Sequence, residues 1–258
     1  MNTSGVSNAS GFGIQTAAVS VLSDVEEYDG SSWTEVTNIP ANTSDRGGCG
    51  TLTTGLVFGG GPSTANVAET FEYDGTNWTE TNDLNTARRD LIAAGTQTAA
   101  VGAFGADPPS AVTEEYNGST WTATNDGNTA RRSAAGGGIQ TSAVAMGGHT
   151  PPYTNASEEY NGSTWSNLAN LNTTRGICGG AGQASAEDVM VFGGAPATAN
   201  TEVFDGTSWT EVNNLGNAGY TKGSTGTTLA ALYYGRNPGL TLKTEEWTQL
   251  QNIKVIDD

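Results

Sequence analysis

Six of the ten basic residues in this 258-residue chain share one recurring context. Arg46, Arg88, Arg89, Arg131, Arg132 and Arg175 each stand just before a glycine- and alanine-rich stretch, and most follow a fixed lead-in. That lead-in reads "NTAR" at Asn85–Arg88 and Asn128–Arg131, and "NTTR" at Asn172–Arg175. Guanidinium groups placed this regularly have two uses. They pair with carboxylates of neighbouring structural units, or they form a partial cationic ring that takes an anion or an acidic sugar. Arg46, Arg88, Arg131 and Arg175 are the candidate binding residues of this set. Tyr220 occupies the matching region late in the chain, with Lys222 beside it. His149 and Tyr153 in "GGHTPPYTN" (Gly147–Asn155), and Arg236 in "GRNPG" (Gly235–Gly239), complete the candidates, because these two loops differ most in chemistry from the others.

Other chemistry finds little support. His149 is the only histidine, and no Cys/His cluster has ligand spacing, so no metal and no cofactor is expected. No serine lies in a nucleophile elbow, and no residue is assigned a catalytic role. Glu114/Glu115 and Glu158/Glu159 are adjacent on predicted strands and face opposite sides, which does not make a catalytic pair. The inward member of each pair is expected to hold a hydrogen bond between structural units. Cys49 and Cys178 each lie three residues after an arginine, at what reads as the same place in two units, and are expected to be free thiols too far apart to bond.

The elements that position these residues repeat. "EEYNGSTW" occurs at Glu114–Trp121 and again at Glu158–Trp165. Aligning on its tyrosine gives Tyr28, Tyr73, Tyr116, Tyr160, Phe204 and Trp247, at intervals of 45, 43, 44, 44 and 43 residues. Trp247 belongs to this series, and not to that of Trp33, Trp78, Trp121, Trp165 and Trp209, because "TEEW" (Thr244–Trp247) matches "TEEY" (Thr113–Tyr116). Each unit reads as four short strands. In the fourth these are Arg131–Ile139, Ser142–Gly148, Ala156–Tyr160 and Ser163–Leu168. The last two are joined at Asn161-Gly162, a pair that predicts a type I′ turn. A repeat of this length with four strands is a propeller blade. The fold class expected is all-β, a single six-bladed β-propeller with blades near residues 1–43, 44–86, 87–129, 130–173, 174–217 and 218–258. The small first strands line a central channel. Every blade is continuous in the chain, the last strand is "NIKVID" (Asn252–Asp257), and the ring closes by packing of blade 1 on blade 6, with help from Met1–Asn8. Seven of eight prolines fall in the loops between second and third strands, on the face that also carries the arginines. That face is the expected binding face.

The glycine pair after an apolar strand ("VFGG" at Val57–Gly60 and Val191–Gly194), followed by the tyrosine and then the tryptophan, resembles the kelch repeat. The tyrosine-to-tryptophan gap of five is shorter than the kelch pattern, blade 1 lacks the glycine pair, and blade 6 has "YYGR". The Thr/Gly/Asn-rich, lysine-poor blades also resemble repeats of tail and virion-associated proteins of marine bacteriophages. That resemblance implies a structural or host-adhesion protein, located in a virion, or alternatively extracellular or cytoplasmic, with a surface glycan or other virion proteins as partners. A free glycan-binding lectin, a protein-interaction scaffold and a glycan-active enzyme are the alternatives. "YDGTSW" lacks the residue that separates Asp from Gly in the sialidase Asp-box. With a net charge of −17, nucleic acid and anionic membranes are not expected partners. Neither a secretory signal nor a membrane-spanning run is read from the sequence.

Overall fold

The computed structural model describes residues 9–22, 24–41, 44–62, 65–236 and 241–249. The side chains of residues 236 and 241–243 lie outside that description, as do Met1–Asn8 and the strand expected at Asn252–Asp257. The described chain is all strand, turn and loop. Blade 1 comprises β1 (Ser10–Ile14), β2 (Ala17–Val21), β3 (Val25–Tyr28) and β4 (Trp33–Glu35). Blade 2 holds β5 (Gly47–Thr51), β6 (Thr54–Phe58), β7 (Thr70–Tyr73) and β8 (Trp78–Glu80). In blade 3 they are β9 (Ile92–Thr96), β10 (Ala99–Ala103), β11 (Thr113–Tyr116) and β12 (Trp121–Ala123). Blade 4 contains β13 (Ala135–Ile139), β14 (Ser142–Met146), β15 (Ser157–Tyr160) and β16 (Trp165–Asn167). Blade 5 follows with β17 (Gly179–Ala181), β18 (Val189–Phe192), β19 (Thr201–Phe204) and β20 (Trp209–Glu211). Among the described residues blade 6 has three strands, β21 (Ser224–Gly226), β22 (Ala230–Arg236) and β23 (Thr241–Thr248). Each sheet is antiparallel with its strands in chain order.

Burial explains the composition of each strand. The second strand is packed on both faces by neighbouring blades, so it is buried and mainly apolar after its first residue, as in "SAVAM" of β14. The fourth strand keeps only its tryptophan buried, as in β16, and faces solvent with the rest. The predicted first strand of blade 4 is shortened at its start. Arg131 and Arg132 make only isolated bridges, and Ser133 turns into the left-handed region (φ 55°) before β13 begins.

Among the described residues, apolar side chains gather in six clusters, one in each seam between consecutive blades. The seam between blades 6 and 1 holds Ala18, Tyr28, Trp33, Leu232 and Tyr234. The tryptophan indole of each blade donates to the blade before it: Trp121 to Thr70 Oγ1 (3.0 Å), Trp165 to Thr113 Oγ1 (2.9 Å). Trp33 does the same to Thr244 Oγ1 of blade 6 at 2.8 Å. Gln97 and Gln140 reach back to carbonyls of the preceding blade, and Gln15 reaches Trp247 O at 3.0 Å. The innermost strands pack in order round the axis, with β21 against β1. The ring therefore closes through the same contacts that join every other pair of blades.

Trp247 stands opposite Ala231, as Tyr160 stands opposite Ala143, so it fills the tyrosine slot. Its indole nonetheless donates to Asn213 O, the carbonyl equivalent to Ala169 O, which takes the Trp209 indole one blade earlier. One side chain thus does the work of two positions.

The outer hairpins correct the turn prediction. Tyr116 pairs with Trp121, leaving a four-residue loop, and only its glycine is left-handed (Gly118, φ 86°). A type I′ turn requires two such residues. Here Asn117 Oδ1 accepts the backbone N–H groups of Ser119 (3.0 Å) and Thr120 (2.9 Å), and Asp29, Asp74, Asn161 and Asp205 do likewise. The pair marks an Asx turn with one left-handed glycine.

Candidate functional site

The arginines of the repeated lead-in are structural. Arg88, Arg131 and Arg175 are fully buried. Each pairs with the third-strand glutamate of its own blade: Arg88 with Glu114 (3.1 Å), Arg131 with Glu158, and Arg175 with Glu202 (2.5 Å). These glutamates are fully buried as well. Each guanidinium also donates to the carbonyls that flank the loop between second and third strands, Phe104 O (3.0 Å) and Val112 O (2.6 Å) for Arg88. The lead-in completes the set. Glu114 accepts the backbone N–H of Asn85 (2.7 Å) and of Thr86 (3.1 Å), and Glu202 those of Asn172 and Thr173. "NTAR" is thus a device that ties the connection from one blade to the third strand of the next. Burial draws the Arg88 and Arg131 guanidinium groups below their ordinary range, and their glutamates oppose it.

Two expectations are corrected here. The arginines do not pair with a neighbouring blade's carboxylate, and Arg88, Arg131 and Arg175 are not open to a ligand. The inward glutamates also take the lead-in N–H groups from the end of the preceding blade, as expected, and a second set of bonds between blades uses the glutamate next to the tyrosine. Tyr73 donates to Glu27 (2.7 Å), Tyr116 to Glu72 (2.8 Å), Tyr160 to Glu115 (3.0 Å), and Tyr28 to Glu246 across the closing seam (2.7 Å).

Blade 2 departs from the scheme by two linked changes. Phe71 replaces the glutamate, and Arg46 comes from three positions later than Arg88 does in its blade. Arg46 still donates to Gly59 O (2.9 Å), pairs with Glu69 (3.1 Å) and lies over the Phe71 ring at 5.4 Å. Register also separates the two cysteines. Cys49 is the third residue of β5, opposite Leu56, whereas Cys178 precedes β17, so their positions are not equivalent. Both thiols are free and buried, and burial pushes them up to about 12 and about 11, which removes thiolate reactivity near neutral pH.

The channel opens among the connections between blades. It encloses about 110 Å³, lined mainly by glycine and alanine of the first strands. Around its mouth Asp45, Asp90, Ser133 and Ile177 take left-handed backbone conformations (φ 59°, 60°, 55° and 50°) at equivalent positions of four blades. They are strung together by Asp90 N–H to Asp45 O (2.9 Å), Ser133 N–H to Asp90 O (2.9 Å) and Ile177 N–H to Ser133 O (2.7 Å). Left-handed residues other than glycine cost about 1–2 kcal/mol each, so the collar is held by its surroundings. Lys222 reaches in from blade 6 to both Asp90 and Asp45 (3.1 Å to Asp45). Burial disfavours its charge, but the two carboxylates outweigh burial and hold the ammonium above its ordinary range. Such a lysine is not an amine nucleophile.

The second arginine of each doubled pair turns to this mouth. Arg89 contacts Asp90 (3.8 Å) and Asp107 (3.3 Å), and Arg132 contacts Asp107 (3.0 Å). The result is one chain of alternating charge, Arg132–Asp107–Arg89–Asp90–Lys222–Asp45, with three cations and three anions. Arg89, Arg132 and Lys222 belong to the sequence pattern without being candidate binding residues, and the three aspartates are not marked by it. The doubling in "RRD" and "RRS" was the available signal, since two adjacent arginines cannot both enter the same buried pocket.

Beside the Arg132–Asp107 pair stands the loop of blade 4. Arg132 and His149 exchange backbone bonds (2.8 and 3.2 Å), which fixes the loop against the mouth. The His149 and Tyr153 rings meet edge to face at 5.0 Å. Both are half-buried. Tyr153 lies over Gly176, where a Cβ would come within 2.6 Å of the ring, so only glycine fits. Backbone bridges therefore join His149 and Tyr153 to Arg132, and ion pairs join Arg132 through Asp107 to Arg89. Tyr220 is half-buried on the next connection round the ring and is not part of the group, and the Arg236 side chain lies outside the described residues.

No family model matches the chain, and no curated protein does. Among solved structures the chain is similar to one described as "Structure of YjhT", with 12% identity, a TM-score of 0.79, and coverage of 98% of this chain and 97% of that one. At that identity the likeness shows a shared β-propeller fold.

Proposed function

We propose that the protein is a non-enzymatic, kelch-like propeller that acts as a virion-associated structural or host-adhesion protein and holds surface glycans on the face carrying the channel mouth. The observation that carries this reading is the cluster of Tyr153, His149, Arg132 and Asp107. An aromatic ring offers a flat apolar surface to the C–H face of a sugar, and a neighbouring guanidinium and carboxylate offer donors and acceptors to its hydroxyls. The Asp107 side chain is 48% exposed and Arg132 26%, so the polar half of the cluster meets solvent. The non-enzymatic part rests on the chain from Arg132 to Asp45, in which every cation is held by a carboxylate, and on the burial of both thiols. The virion part rests on the resemblance of the blades to tail-associated repeats and predicts capsid and tail genes beside this one. A glycan array tests the binding. Labelled protein is expected to bind a subset of glycans, with signal reduced at least about tenfold in Tyr153→Ala, the loss of one aromatic anchor. Absence of any binding, or an unchanged signal in Tyr153→Ala, would refute it.

A further inference from the structure

Blade 6 lacks the features that close the outer hairpin of the other five. Elsewhere the chain turns directly after the tyrosine slot on an Asn-Gly or Asp-Gly pair and returns with a tryptophan five positions on. After Trp247 the chain reads Thr248-Gln249-Leu250-Gln251, with neither an Asx residue nor a glycine, and Asn252 stands in the tryptophan position. β23 continues to Thr248, one residue past the slot where β11 and β15 end. The Gln249 N–H then bonds Leu229 O at 3.0 Å. Gln249 is not left-handed, although Gly118 at the same position is (φ 86°). The chain thus passes the turning point still extended along β22. Leu250 and Gln251 suit a tight hairpin turn just beyond it poorly, because such a turn needs positive φ.

Two described residues lack the cover that the outer hairpin supplies elsewhere. Thr201 Oγ1 is fully buried and has no partner, which is rare for a polar atom in a core. Thr201 starts β19 as Thr70 and Thr113 start β7 and β11, and those hydroxyls take the indole N–H of the next blade's fourth-strand tryptophan. The Trp247 indole is given to Asn213 O instead. Leu229 is 49% exposed at the turn between β21 and β22. Thr98 and Thr141, at the same place in blades 3 and 4, lie under the turn glycines Gly118 and Gly162. Among the described residues β23 is the outermost strand of its sheet, so its edge is open to pairing.

We propose that this edge receives the C-terminal segment of a second copy of the chain, so that two molecules exchange their last strands. An extended exit past the turning point carries the segment away from its own sheet. Exchange keeps the contacts of a closed blade while it joins two copies. The other fourth strands are three residues long, and "NIKVID" (Asn252–Asp257) supplies six. Set on β23 in the register of the other hairpins, Asn252 comes opposite Trp247, and its amide is the donor that Thr201 lacks. The exchange does not rest on the glycan reading.

Light scattering coupled to size exclusion tests it on the full chain. The wild type is expected at twice the chain mass. Thr248→Asn/Gln249→Gly installs the turn pair of the other blades and is expected at the mass of one chain, with an unchanged circular dichroism spectrum. A monomeric wild type, an open-ended assembly, or a dimer that persists in the turn variant overturns the exchange. Glu246→Cys/Ile253→Cys, the pair that matches Glu115 and Thr122 in blade 3, separates exchange from folding back. The disulfide is expected to link two chains on a non-reducing gel. A bridge within one chain, or no bridge, overturns the proposal.

Discussion

A carboxylate at an exposed turn and a carboxylate in the core do comparable work in this protein at different cost. Asp29 accepts two backbone N–H groups at 2.8 Å each, and the Ser32 and Ser31 contacts draw its pKa down to about 2 despite full exposure. Its folded pKa lies below the ordinary value of 3.8, so its contribution is complete above that value and is lost as pH falls towards about 2. A carbon-detected carboxyl titration is expected to place Asp29 near 2, and Asp29→Asn is expected to abolish that acid-linked loss without opening the hairpin, because Asn117 and Asn161 make the same turn. A midpoint close to 4 would contradict the turn geometry. The buried glutamates are different. Removing one partner of a buried, hydrogen-bonded ion pair costs about 3–5 kcal/mol, so Glu114, Glu158 and Glu202 are fixed by their arginines and not available for chemistry. The recurrence of those arginines was legible in the sequence, but their partner was not. Strand alternation tells which glutamate points inward. It does not tell that an arginine in the connection reaches the blade it is about to enter.

At the scale of the element, the hairpin and its tyrosine set the joint between blades. Four seams carry a tyrosine-to-glutamate bond. At the seam between blades 5 and 4 the tyrosine slot holds Phe204, and Glu159, the matching carboxylate, has no hydrogen-bond donor among the described residues. Phe204→Tyr is expected to form the missing bond, on the pattern of Tyr73 with Glu27, and to stabilise the protein by about 0.5–1.5 kcal/mol in denaturant unfolding. A destabilised variant would show that the seam has repacked round the phenylalanine, where Leu168 also packs. The hairpins themselves were legible from "EEYNGSTW", since a repeated apolar-turn-apolar pattern has few other readings. Their turn type was not. An Asn-Gly pair fits both a two-residue turn and the first half of a four-residue one, and only the pairing of Tyr116 with Trp121 decides between them. The slot of Trp247 was legible because its upstream spacing is independent of its identity, whereas its borrowed hydrogen bond to Asn213 required coordinates.

At the scale of the whole molecule, the repeat period determined the ring, and the candidate site followed from it only in part. His149 and Tyr153 stood out by composition. The alternating charge chain across the mouth joins blades 2, 3, 4 and 6, and no local pattern in the sequence links residues so far apart. The ring brings them together because all connections between blades arrive on one face, and it does so only if blade 1 meets blade 6 as each blade meets its neighbour. Trp33 and Trp165 occupy equivalent positions, are 7% and 6% exposed, and donate to equivalent threonines, one across the closing seam and one inside the ring. Equilibrium unfolding of Trp33→Ala and Trp165→Ala compares the two seams directly. A closed ring with equivalent joints predicts that both variants lose about 3–5 kcal/mol, the usual cost of removing a buried tryptophan. A Trp33→Ala variant as stable as the wild type, beside a Trp165→Ala variant that is not, would mean that blades 1 and 6 do not join in solution.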